Sequence, residues 1–94
     1  MRFVLLGTIR SHLSKEQRLA GMARRAEWKY PQGLKVVGEY WRSSAPELVV
    51  IFETDKPDPM MAIDLDWGDF FQMSISPALT PEEGLAIGKK AMGG

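Results

Sequence analysis

A chain of 94 residues, 45% of them hydrophobic, is the size of one domain, and folding at this length buries only about 60–65% of the unfolded chain's surface. Twelve Lys and Arg balance twelve Asp and Glu, so the net basic footprint of a general nucleic-acid binder is missing. With no cysteine, disulfides, thiolate chemistry and Cys-built zinc sites are excluded, and a cytoplasmic setting is the default expectation.

The opening MRFVLLGTIR places a charge before an apolar run, as a signal peptide does. The run is short, it ends at Arg10, and no small-residue cleavage site comes after it. No window approaches the roughly 18 apolar residues of a membrane helix. Arg2 to Ile9 therefore reads as a buried strand, with Phe3 and Leu5 on one face and Val4 and Leu6 on the other.

Ser14 and Gln17 have the spacing of a capping box, and Pro31 with Gly33 supplies a stop. A helix from about Lys15 to about Trp28 is expected between them. At about 100° per residue, Leu19, Met22, Ala23 and Ala26 share one stripe, flanked by Lys15, Arg18, Arg25 and Lys29. The basic flank reads as a solvated face rather than an anion site. Trp28 points away from the stripe if the helix stays regular, as a contact surface would or as fraying before Pro31 would leave it.

The segment LKVVGEYWRSSAPELVVIFETD reads as two strands around a four-residue SSAP loop, with Arg42 facing Glu47. This register puts Val37, Glu39 and Trp41 on one face with Leu48, Val50 and Phe52. Val36, Gly38 and Tyr40 then lie on the other, beside Val49 and Ile51. Both faces are mostly apolar, whereas a sheet with one solvated face alternates apolar with polar residues.

Asp58 reads as an N-cap with Pro59 at the first helical position, opening a short helix that buries Met60, Ile63 and Trp67. FFQMSIS alternates as a half-covered edge strand, Phe71, Met73 and Ile75 inward against Gln72, Ser74 and Ser76 outward. Thr80 and Glu83 form a second capping box, but Gly84 and Gly88 weaken the helix it opens to a short or frayed turn. Residues 1–79 are thus expected to form an α+β domain, with 80–94 a helical tail packed on it.

The order βαββαβ is that of the ferredoxin-like sandwich, a four-stranded antiparallel sheet with two helices on one face. Right-handed crossovers put the first and third strands at the centre. Those strands are apolar on both sides, so the bare face is expected to meet a second copy of the chain. Val36, Tyr40, Val49 and Ile51 would form that homodimer interface.

The strand GLKVVGEYW, the acidic turn TDKPDP and the WGDFF entry to the last strand resemble, over nearly the whole chain, a family of short proteins known only as a domain of unknown function. That family is similar in turn to the dimeric α+β-barrel superfamily. The resemblance implies a pocket between sheet and helices and a dimer. It also admits cofactor-independent monooxygenases, haem-degrading enzymes, isomerases and plain ligand binders. The Asn, Trp and His of the haem-degrading branch are not reproduced: the chain has no asparagine, and its one histidine, His12, lies in the loop after the first strand. Only Trp67 has a counterpart in type and place.

Glu39, set among apolar neighbours, would have a raised pKa as a general base in a pocket, or would instead pair with a nearby cation. With Trp41, Trp67 and Phe71 it would line a site for a small apolar or aromatic ligand. Glu53, Asp64 and Asp66 offer carboxylates for a divalent cation, but Asp64 and Asp66 diverge on a helix and no recognised metal spacing occurs. No motif calls for a cofactor or metal, and no membrane or nucleic-acid partner is expected. A ligand-binding homodimer is the leading reading. The alternatives are a cofactor-independent monooxygenase- or isomerase-like enzyme on a small carbonyl or aromatic compound, and a dimeric interaction module presenting Trp28.

Overall fold

The computed structural model describes residues 1–93. Its elements are β1 (Arg2–Ile9), α1 (Lys15–Glu27), β2 (Lys35–Trp41), β3 (Leu48–Glu53), α2 (Asp58–Trp67), β4 (Phe71–Pro77) and α3 (Pro81–Ala91). The strands form one antiparallel sheet in the order β2-β3-β1-β4. The two strands most apolar on both faces are therefore central, as the crossover rule requires. The fold is an α+β arrangement of the βαββαβ type, with α3 appended.

Phe52, Leu5 and Val50 are almost completely enclosed, and Ile63 of α2 closes over them. Phe3, Leu48, Met73 and Ile75 complete the covered face of the sheet. The loop between β2 and β3 is closed by the Arg42 amide donating to the Glu47 carbonyl, the pairing expected from the SSAP loop.

One part of the expected register is corrected. Val36 pairs with Phe52 and Gly38 with Ile51, so Val37 is an extra residue at a β-bulge. A bulge sets two residues against one and switches the facing of everything on one side of it. Val36 accordingly packs against the core and does not belong to the bare face, while Val37 is exposed. Beyond the bulge, Glu39 and Trp41 share the covered face with Val50 and Leu48. Gly38, Tyr40, Val49 and Ile51 lie on the other face beside Val4 and Leu6.

The apolar stripe of α1 is not its most buried face. Leu19 and Met22 are more than half exposed, and Ala23 and Ala26 are exposed as well. The helix turns Gly21, Arg25 and Trp28 inward instead, a run at i, i+4 and i+7. Gly21 is the reason for this rotation: a Cβ there would overlap the Phe70 ring. Only a residue without a side chain lets the helix backbone rest on that ring. The start of α1 obeys the sequence signal, a complete Ser14–Gln17 capping box, whereas the helix ends at Glu27 with Trp28 extended, before the expected stop at Pro31 and Gly33. Gly33, in the loop beyond, has φ +92°, a left-handed conformation that favours glycine.

In α2, Asp58 is the first helical residue rather than its cap, and Pro57 precedes it with no side-chain cap. α3 differs more. The Thr80–Glu83 capping box forms, but the helix runs for 11 residues and buries none of them. Two glycines lower helix propensity by about 1 kcal/mol each, too little to stop a helix with a strong cap and basic residues, Lys89 and Lys90, in its last turn.

Candidate functional site

A cavity of about 160 Å³ lies between the covered face of the sheet and the two helices. Leu5, Ile9, Leu48, Val50 and Met73 form its aliphatic floor. Its walls are aromatic: Trp28, Trp67, Phe70 and Phe71. Their rings meet at right angles or tilted, with centroids 4.8 Å apart for Phe70 and Phe71 and 5.8 Å for Trp28 and Trp67. Such edge-to-face contacts add about 0.5–1.5 kcal/mol each beyond area burial. The wall is thus a stiff surface rather than a loose apolar lining.

Arg24 braces this wall from outside. Its guanidinium lies 4.1 Å from the Trp67 ring centroid and donates to both carboxylate oxygens of Asp69, at 3.1 and 3.2 Å. The ion pair holds the cation over the indole face, where the ring quadrupole attracts it. Asp69 is held below its ordinary pKa chiefly by these hydrogen bonds.

The polar corner of the cavity is built on Glu39. Its Oε1 accepts from Arg25 Nη2 and from the Tyr30 hydroxyl, both at 2.5 Å. Its Oε2 accepts from Arg25 Nε at 3.1 Å and Trp41 Nε1 at 2.8 Å. Two donors per oxygen fill the acceptor capacity of a carboxylate. Arg25 also donates through Nη1 to the Trp28 carbonyl at 3.2 Å, which ties the end of α1 to β2.

This geometry decides the protonation state. Burial by itself raises the Glu39 pKa, but the hydrogen bonds from Arg25, Tyr30 and Trp41, with the Arg25 charge, overcome it and bring the group down to about 2. Of the two readings of Glu39, pairing with a nearby cation describes the residue, and the raised pKa of a general base does not. Tyr30 is pushed up, first by burial and then by its bond to Glu39, so the phenol stays a neutral donor. Glu39 is an ionised strut with every lone pair engaged. General base catalysis near neutral pH needs a poised, accessible acceptor, which this carboxylate is not.

Glu39, Trp41, Trp67 and Phe71 come together around this cavity, Trp67 buried on α2 and Trp41 more than half exposed at the end of β2. Trp28 is only partly exposed; its Nε1 donates to Asp66 at 2.9 Å, and its ring packs on Tyr30 and Trp67. It is not the free contact surface an interaction module would present. The carboxylates do not gather. Glu53 sits across from Arg2 and Lys35, and among the described residues no group of three or more His, Cys, Asp or Glu could hold a metal ion.

Arg25, Tyr30, Arg24 and Phe70 are not marked as site residues by the sequence. Arg25 sits on a flank that looks solvated, and nothing local distinguishes it from Arg18. The recoverable signal is the spacing Gly21, Arg25, Trp28, which marks a second face of α1 once a glycine is allowed to count as a packing residue.

No helix among the described residues is long and apolar enough to cross a membrane. No curated protein and no solved structure is significantly similar to the chain. The model of one family, described as Domain of unknown function (DUF3303), matches residues 1–92, and the chain belongs to that family.

Proposed function

We propose that the protein is a small-ligand binder that takes a compound of about one aromatic ring into the cavity between sheet and helices, and that it works as a homodimer. The observation that carries the first part is the cavity itself. Its 160 Å³ is close to the roughly 150 Å³ of an apolar cavity that holds benzene. It is well below the roughly 300–1,000 Å³ of sites for larger ligands. Aromatic walls and a polar corner with its hydrogen bonds already made favour a flat, mainly apolar molecule.

Binding is preferred to catalysis on one ground. The enzyme reading requires a base, and Glu39 is ionised and saturated by four donors. The dimer reading rests on Val4, Leu6, Val49, Ile51 and Tyr40, which share the sheet face that α1 and α2 do not cover. A second copy of the chain would shield them.

Titration with toluene and phenol, monitored by amide chemical shifts, tests the pocket. Saturable shifts confined to Leu5, Val50, Trp67, Phe71 and their neighbours are expected, with no response to a three-ring compound. Absence of saturable binding by any single-ring probe up to its solubility would remove the reading. Sedimentation of the full chain at micromolar concentration tests the dimer, and a folded monomer would exclude it.

A further inference from the structure

Three observations bear on what covers the open sheet face. The first is the shape of the apolar area on it. Val49 and Ile51 of β3, with Val4 and Leu6 of β1, make a strip two central strands wide, extended by Tyr40 of β2. On β4 the outward row is Gln72, Ser74 and Ser76. Two strands at about 4.8 Å spacing are roughly 10 Å across, the diameter of one helix with its side chains. A second sheet laid face to face would also cover the polar row of β4, at a desolvation cost for every hydroxyl or amide left without a partner.

The second is α3. On a helical wheel Ile87, Ala91, Gly84, Gly88, Met92 and Leu85 fall in one arc of roughly 160°, and Glu82, Glu83, Lys89 and Lys90 occupy the rest. Leu85 is 74% exposed and Met92 84%. The small residues in the arc leave its centre low, and nothing stands within 4 Å of a Cβ added at Gly84 or Gly88. Such a helix fits closely against a surface from which side chains project. Its own sheet does not receive it. Arg2 holds both sides of the link from β4, donating to the Ala78 carbonyl at 3.2 Å and to Glu83 in the first turn at 2.9 Å. The helix leaves the body, and the molecule extends 55 Å along its longest axis.

The third is area. A compact monomer of 10.6 kDa exposes about 5,500 Å². This chain exposes 6725 Å², a surplus of roughly 1,200 Å² over that reference, against the roughly 800 Å² per partner that a stable complex removes. The radius of gyration, 15.8 Å, likewise exceeds the approximately 12 Å of a compact chain of this length. One protomer carries enough unshielded surface for a dimer, divided between a helix and a strip of matching width.

We propose that two copies of the chain exchange their C-terminal helices, each α3 laying its apolar arc on the partner's open strip of Val4, Leu6, Val49 and Ile51. This rests on the dimer reading above and specifies which part of the second copy covers the sheet. The exchange leaves the polar row of β4 at the edge of the contact, in water.

Two substitutions in the full chain test it by sedimentation equilibrium. Leu85→Glu puts a charge into the arc at a site that is exposed in the single chain, so near-ultraviolet circular dichroism of the protomer should be unchanged. The dissociation constant of the dimer should rise at least tenfold. Ser74→Arg puts a long charged side chain in the β4 row, and the dimer should persist with its affinity within threefold. A wild-type dimer insensitive to Leu85→Glu, or one broken by Ser74→Arg, overturns helix exchange while leaving the dimer standing. A wild-type monomer overturns both.

Discussion

Glu39→Gln keeps the shape of the side chain and removes its charge, leaving Arg25 half-buried without a counter-ion. In the folded protein Glu39 titrates at about 2 against an ordinary value of 4.5, and each unit of pKa is worth about 1.4 kcal/mol. The full shift is equivalent to roughly 3 kcal/mol, which screening at the open side of the cavity reduces to about 2 kcal/mol. Gln also places an amide N–H against donors from Arg25 or Trp41, which adds to the loss. Urea unfolding monitored by tryptophan emission suits the measurement, because Trp28, Trp41 and Trp67 all line the cavity. With a slope of about 1 kcal/mol per molar urea for a small domain, the midpoint at pH 7 should fall by about 2 M. The folded pKa is the depressed one, so the contribution is present in full above about pH 4.5 and is lost as pH falls toward 2. The gap between wild type and Glu39→Gln should therefore close over that window. A variant within about 0.5 M of wild type at pH 7 would refute the assigned network, using roughly the scatter of neutral surface substitutions as the margin. So would a gap that stays constant down to about pH 2.5.

Other substitutions probe the packing that shapes the cavity. Gly21→Ala, which on an isolated helix would stabilise by up to about 1 kcal/mol, should instead destabilise by about 1–3 kcal/mol because its Cβ collides with Phe70; a raised melting temperature would contradict the buried face assigned to α1. Val36→Lys should cost about 2 kcal/mol or more, while Val37→Lys stays within about 0.5 kcal/mol. The reverse order in chemical denaturation would remove the bulge. Trp67→Ala should cost about 3–5 kcal/mol and abolish binding of single-ring probes, both readable in one calorimetric and titration series. Ser14→Ala should cost about 1 kcal/mol through loss of the cap on α1, and no change in the denaturation midpoint would show that end of the helix to be immaterial.

Local signals and the order of elements were legible in the residues alone. The two capping boxes, the alternation of FFQMSIS and the double-sided apolar runs of β1 and β3 are each written within a few neighbours, and hydrogen-bonding geometry acts at that range. These signals led to the four-stranded antiparallel sheet and its central pair; that Glu39, Trp41, Trp67 and Phe71 line a pocket between sheet and helices was an expectation drawn from the family resemblance. Tertiary structure decided what depends on distant partners. Gly21 became a packing residue only because Phe70, far along the chain, needs a flat surface. Val36 changed sides because of one extra residue in a strand, which no periodicity records. The charge on Glu39 was settled by Arg25 from a helix and Tyr30 from the loop after it. Burial and hydrogen bonding shift a pKa in opposite directions, and which prevails depends on where those side chains meet in space.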